Sequence, residues 1–127
     1  MIAFNSGGAL TAASSVFNAH ASGNPFLPAP LLADTSDGYG AWKSTGEDSN
    51  QVALKFSRFL FAGAQKPHRH FTPGLSHGQY VGINTVEAVG TPHGNSLTGS
   101  FTNHFVNIGG TVVFSGNGTF SAQRLTP

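Results

Sequence analysis

The sequence contains no cysteine. That excludes disulfides, thiolate nucleophiles and Cys-ligated zinc or iron–sulfur clusters. Charge is scarce too: Asp, Glu, Lys and Arg make up 9% of the 127 residues, against roughly 25% in an average soluble protein. Six basic and five acidic side chains give a formal net charge of +1. So weak a field leaves no footprint for a nucleic-acid backbone or an anionic membrane surface. Apolar runs such as Phe59–Gly63 fall far short of the ~20 residues that span a bilayer. No basic n-region opens the chain, which passes into Gly and Ser by residue 6, so no signal peptide is expected and the cytoplasm is favoured. No internal period in the solenoid range occurs, and 1–127 reads as a single domain.

What the chain does contain is hydroxyl and amide groups, glycine and phenylalanine. Ser, Thr and Asn together number 33, Gly 17 and Phe 11. The 11 phenylalanines supply apolar surface for a core, while solubility rests on neutral polar groups.

Alternation of apolar and polar residues recurs along most of the chain, punctuated by Gly, Asn and Pro, and predicts an all-β protein. Ile2–Asn5 and a second arm from Ala9 flank the hairpin turn Ser6-Gly7-Gly8. Leu10, Ala13 and Phe17 also recur at helical spacing, but Ser, Thr and Val favour a strand there. Residues 21–37 hold Pro25, Pro28 and Pro30 and read as a long extended loop. Its apolar Phe26, Leu27, Leu31 and Leu32 must cover a cavity mouth, a sheet edge, a neighbouring subunit or the bottom of the core. Tyr39–Ser44 and Gln51–Phe61 form a second hairpin. A His-rich loop over 62–79 precedes a strand from Tyr80 to Val89, and a turn is expected over Gly90–Asn95. Leu97–Asn107 and Thr111–Leu125 close the chain around Gly109-Gly110, with Gly116 and Gly118 permitting a bend. About seven strands without crossover helices predict an antiparallel up-and-down meander, whose closure into a barrel removes edges that so uncharged a sheet cannot defend.

Three stretches carry a resemblance: Gly38-Tyr39-Gly40-Ala41-Trp42-Lys43-Ser44-Thr45-Gly46, Leu54-Lys55-Phe56-Ser57-Arg58-Phe59-Leu60-Phe61, and Gly116-Asn117-Gly118-Thr119 through to Arg124-Leu125. Together they resemble a family of small, mostly uncharacterised calycin-like (lipocalin-like) barrels. They are also similar to the broader group of allene-oxide-cyclase-type barrels, some of whose members are natural-product cyclases, Diels-Alderase-like spirocyclases among them. The resemblance implies a barrel around a small hydrophobic molecule and a cofactor-free cyclase or isomerase acting on a terpenoid- or polyketide-like substrate. Relatives usually begin with a further strand before Phe4, so the barrel here is expected to be open, shortened or completed by a partner. A homodimer through that edge follows.

Two charges stand in the phase of apolar residues. Arg58 alternates with Val52, Leu54, Phe56 and Leu60, and Glu87 with Val81, Ile83 and Val89. Buried charges need partners, so the two are expected to pair across the barrel, either as a structural ion pair or as groups facing a cavity. In a cavity Arg58 suits polarisation of a carbonyl or enolate oxygen, and Glu87, its pKa raised by desolvation, suits proton transfer. Tyr80 adds a hydroxyl donor. Trp42, Leu54, Phe56 and Phe26 supply apolar walls for the ligand, and His104 joins them or faces solvent. Separately, His68-x-His70 with His77 offers an alternative metal set of the cupin kind, though it lacks the carboxylate expected nearby and has Arg69 between its imidazoles. Without a Gly-x-Ser-x-Gly elbow or a phosphate cradle, no nucleotide or other cofactor is expected. The remaining alternative is a non-catalytic binding or structural barrel with a solid core.

Overall fold

Asn5 and Gly8 make the first turn. The Asn5 side-chain oxygen accepts from the Ala9 N–H at 3.0 Å, and Gly8 takes a φ of 80° that a side chain would oppose. This turn joins β1 (Ile2–Phe4) to β2 (Ala9–Ala12). The computed structural model describes residues 2–13, 33–45, 50–62 and 78–124. Beyond the first hairpin come β3 (Ala33–Thr35), β4 (Gly38–Ser44), β5 (Val52–Ala62), β6 (Tyr80–His93), β7 (Ser96–Asn107) and β8 (Val112–Gln123). Every pairing is antiparallel, and the sheet order is β1-β2-β4-β5-β6-β7-β8.

The extra element β3 pairs with the end of β5 beyond β4, so β3 and β4 behave as one interrupted strand. Ser36 bridges the interruption: its N–H donates to the Phe59 carbonyl and its hydroxyl accepts from the Phe59 N–H, each at 3.0 Å. The count of about seven strand positions therefore agrees with the alternation. The proline-rich loop, by contrast, ends earlier than expected, because Ala33–Thr35 finds free backbone groups on β5. Likewise β6 runs through Pro92 to His93 and turns only at Gly94-Asn95, the proline lying one residue from the hairpin end. Ala9–Ala12 is strand.

Closure differs from the expectation. The sheet curls into a half-barrel, and among the described residues β1 and β8 do not pair with each other. Both remain edges.

Register sorts the side chains onto two faces. On one, Leu10, Leu54 and Ala88 form the buried core, with Trp42, Phe56, Phe101 and Phe120 packed against it. Glycines on nearby strands receive these rings, Phe120 reaching past Gly99 of β7 to Gly90 of β6. A methyl at Gly118 would stand 3.0 Å from Phe101, one at Gly90 3.0 Å from Phe120, and one at Gly38 2.8 Å from Phe56. Gly116 and Gly118 thus leave room for rings rather than bend β8, and the register irregularity of that hairpin falls instead between Phe105 and Val106. The opposite face carries Lys, Glu, Thr, Ser and His.

Gly40 is the tightest of these positions, since a Cβ there would overlap the Lys55 carbonyl oxygen and the Phe56 main chain. Gly40→Ala is expected to destabilise the protein by about 3 kcal/mol in chemical denaturation. Gly7→Ala, whose methyl would meet nothing nearer than 3.6 Å, should stay within about 0.5 kcal/mol of the parent. Equal effects would count against the observed β4–β5 approach.

Candidate functional site

The polar face is built from cross-strand rows. One row runs Ala41, Lys55, Glu87, Thr102, Asn117 across β4 to β8, and the next runs Lys43, Ala53, Val89, Ser100, Thr119. Between them lies a trough of about 800 Å³. Its floor is the backbone around Gly118 and around Trp42, Leu54, Ala88 and Phe101, whose side chains point to the other face. The volume is in the range of small-molecule sites, roughly 300–1,000 Å³. Five adjacent strands give it a length of roughly 19 Å at ~4.8 Å per spacing. Its surface is mostly apolar.

Lys55 and Glu87 face each other in register, with Nζ 2.6 Å from Oε1. The Lys55 hydrogen bond and charge hold the Glu87 carboxyl below its ordinary value, with a smaller contribution from His104. The pair is exposed, so its attraction is screened and adds little to stability. Because the folded-state pKa is depressed, what it adds is present above the ordinary value of 4.5 and is lost as the pH falls through the depressed one.

A third row follows on the same face: Tyr39, Ser57, Thr85, His104, Ser115. The Ser57 and Thr85 hydroxyls are 2.9 Å apart, and the Ser115 hydroxyl is 3.0 Å from His104 Nδ1. His104 therefore lies where its alternation with Ser100 and Thr102 predicts, beside the trough but not lining it.

Arg58 is on the other face, as its alternation predicts, and there it meets Asn84 instead of Glu87. Its Nε donates to Asn84 Oδ1 at 3.1 Å. Asn84 is 4% exposed, and its amide donates onward to Asn103 Oδ1 and to the His104 carbonyl, the latter at 3.3 Å. Burial pulls the guanidinium below its ordinary pKa, though Arg stays charged at neutral pH. The expected Arg58–Glu87 pair is thus corrected: Glu87 is opposite Lys55, Arg58 is opposite Asn84, and the two lie on opposite faces of the sheet. The expected rise in the Glu87 pKa is reversed for the same reason. On β6 the core-facing phase is Gly82, Asn84, Val86, Ala88 and Gly90, with the glycines beneath the rings of Phe105 and Phe120. The more apolar-looking phase with Val89, 43% exposed, faces the trough.

The other expected site residues are dispersed. Trp42 packs in the core, edge-on to Phe4 at 5.8 Å, and its indole N–H donates to the Asn5 carbonyl at 2.9 Å, tying the first turn to β4. Leu54 is buried and Phe56 half-buried on that same face. Tyr80, 39% exposed, falls opposite Phe61 at a register irregularity of β5 and makes edge contacts with Phe59 and Phe61 at 5.9 and 6.2 Å. Phe26, His68, His70 and His77 lie outside the described residues, among which no group of three or more His, Asp or Glu is placed to hold a metal ion. The sequence reading missed Lys55 and Asn84. Lys55 stands three residues before Arg58 in the polar phase of β5, a signal that was present. Asn84 gave none until the register showed its partners.

No protein family, curated protein or solved structure matches the chain.

Removing Asn84 strips hydrogen bonds from Arg58 and Asn103 at a buried position. Asn84→Ala is expected to lower stability by about 1–3 kcal/mol in thermal unfolding. Glu87→Gln, on the exposed face, should leave the melting temperature essentially unchanged at pH 7; a large drop would mean that Glu87 is paired within the core.

Proposed function

We propose that the protein binds a small, elongated and largely apolar molecule, laid across β4 to β8 in the trough, without turning it over. The observation that carries this reading is the trough itself: about 800 Å³, lined mostly by apolar surface, with the Lys55–Glu87 pair set into one side. A molecule placed there covers the exposed Val89 and the methyl groups of Ala41, Ala53 and Thr102. It finds an ammonium or a carboxylate for a single polar group. The curl of an all-antiparallel meander supports the calycin-like architecture, which belongs to the same proposal.

Binding is favoured over cyclisation by the separation of the groups suited to chemistry. Arg58 points away from the trough and Glu87 is held ionised by Lys55, so neither a carbonyl-polarising guanidinium nor a proton-donating carboxyl lines it. Tyr80 is outside its lining as well.

The test is titration with an environment-sensitive anilinonaphthalene sulfonate dye, followed by displacement with long-chain fatty and prenyl acids and alcohols. Saturable binding by the parent is expected. Ala53→Trp, which fills the trough from the side formed by the Lys43-to-Thr119 row, should weaken it by about tenfold or more, roughly 1.4 kcal/mol. Unchanged affinity in a variant with a native circular dichroism spectrum would place the dye elsewhere and overturn the reading.

A further inference from the structure

The two edges of the sheet are unequal. β1 offers three residues, whereas β8 runs for twelve, and among the described residues the outer side of β8 carries no strand. Natural sheets protect such an edge with charge, proline or a bulge turned outward. From Val112 to Gln123 there is no charged residue and no proline, and the one irregularity lies near the start of the strand. The sequence is also close to a palindrome about Asn117: Phe114-Ser115-Gly116-Asn117-Gly118-Thr119-Phe120.

We propose that β8 pairs antiparallel with β8 of a second copy of this chain, about a two-fold axis through Asn117. A two-fold interface needs a surface complementary to itself, each contact occurring twice. With Asn117 opposite its own copy, Phe114 faces Phe120, Ser115 faces Thr119 and Gly116 faces Gly118. Like thus meets like. Hydroxyls meet hydroxyls and amide meets amide on the polar face, while the glycines leave room beside the rings on the apolar face. Within the chain the same chemistry already works, since Phe105 is directly opposite Phe114 and Phe101 opposite Gly118. Phe114 and Phe120 are only half-buried at the edge, and the second strand would cover them. A register moved by one residue would put the rings opposite the polar side chains and is excluded by the pleat.

Charge does not oppose the pairing. The closest charged side chain on the polar rows is Glu87, two strands inward on β6 and already matched by Lys55. The row Lys55, Glu87, Thr102, Asn117 would run on into Asn117, Thr102, Glu87 and Lys55 of the second copy, joining the two troughs end to end. The proposal does not depend on what those troughs bind.

Because the chain has no cysteine, the register can be read directly. Sedimentation equilibrium of the full chain should show a concentration-dependent dimer. Oxidised Asn117→Cys should give a covalent dimer, as directly opposed Cα atoms lie roughly 4.5–5.5 Å apart, within disulfide reach. Thr119→Cys should not, since the two copies of that residue would be roughly 14 Å apart. The double variant Ser115→Lys/Thr119→Lys sets like charges opposite each other twice and should weaken the dimer by roughly tenfold. Ser115→Lys/Thr119→Glu sets opposite charges there and should keep it. A monomer at every concentration overturns the proposal, as when the edge is covered from within the chain. So does a dimer that fails to cross-link at Asn117, or one indifferent to the double lysine.

Discussion

Aromatic rings laid over glycines one or two strands away set the terms for the rest of this sheet. A face that buries Phe56, Phe101 and Phe120 beside Leu10 and Leu54 cannot also carry full-sized side chains at every opposing position. Rings and gaps must therefore interlock, and Gly38, Gly90 and Gly118 are the gaps. Register becomes strongly specified as a result. Sliding β8 by two residues keeps the apolar phase but takes Phe101 off Gly118 and Phe120 off Gly99, and sliding it by one turns the rings into water.

This packing also decides where chemistry can reside. The apolar face holds one charged side chain among the described residues of its central strands, Arg58, bound to a buried asparagine relay that reaches Asn103 and the His104 carbonyl. Such a relay satisfies a guanidinium in apolar surroundings and fixes β5, β6 and β7 in register. The ionisable groups with access to solvent and to a trough lie on the reverse side. A carboxylate there is held in its charged form by Lys55, which favours recognition of a polar group over exchange of a proton.

Much of this architecture is legible in the sequence. Alternation with glycine and asparagine turns locates every strand position of the meander, and Arg58 and His104 lie on the faces that their phase assigns. β3 was hidden because three residues after a proline-rich stretch carry almost no periodic signal. Its existence depends on β5 extending beyond the end of β4. Glu87 was misread for a more instructive reason. Hydrophobicity names the buried phase of a strand only when that phase is filled by its own large side chains. On β6 the buried phase is filled by other strands' rings, so its own residues are small and the exposed phase looks the more apolar.

The scarcity of charge that marks the composition returns at the boundary of the sheet. A protein with 9% charged residues sets Lys43, Lys55 and Glu87 on one face of the sheet and Arg58 on the other, and none falls on β8. The ring-and-gap pattern continues through that strand to the edge, where Phe114 and Phe120 stand half-buried with Gly116 and Gly118 between them. An edge of this kind has interior chemistry and is one strand short of being interior. The pattern that orders the sheet is therefore unfinished at β8, and a strand of matching alternation, with rings and glycines on one side and hydroxyls on the other, is the complement it specifies. Among the described strands, β8 itself presents that order in mirror image.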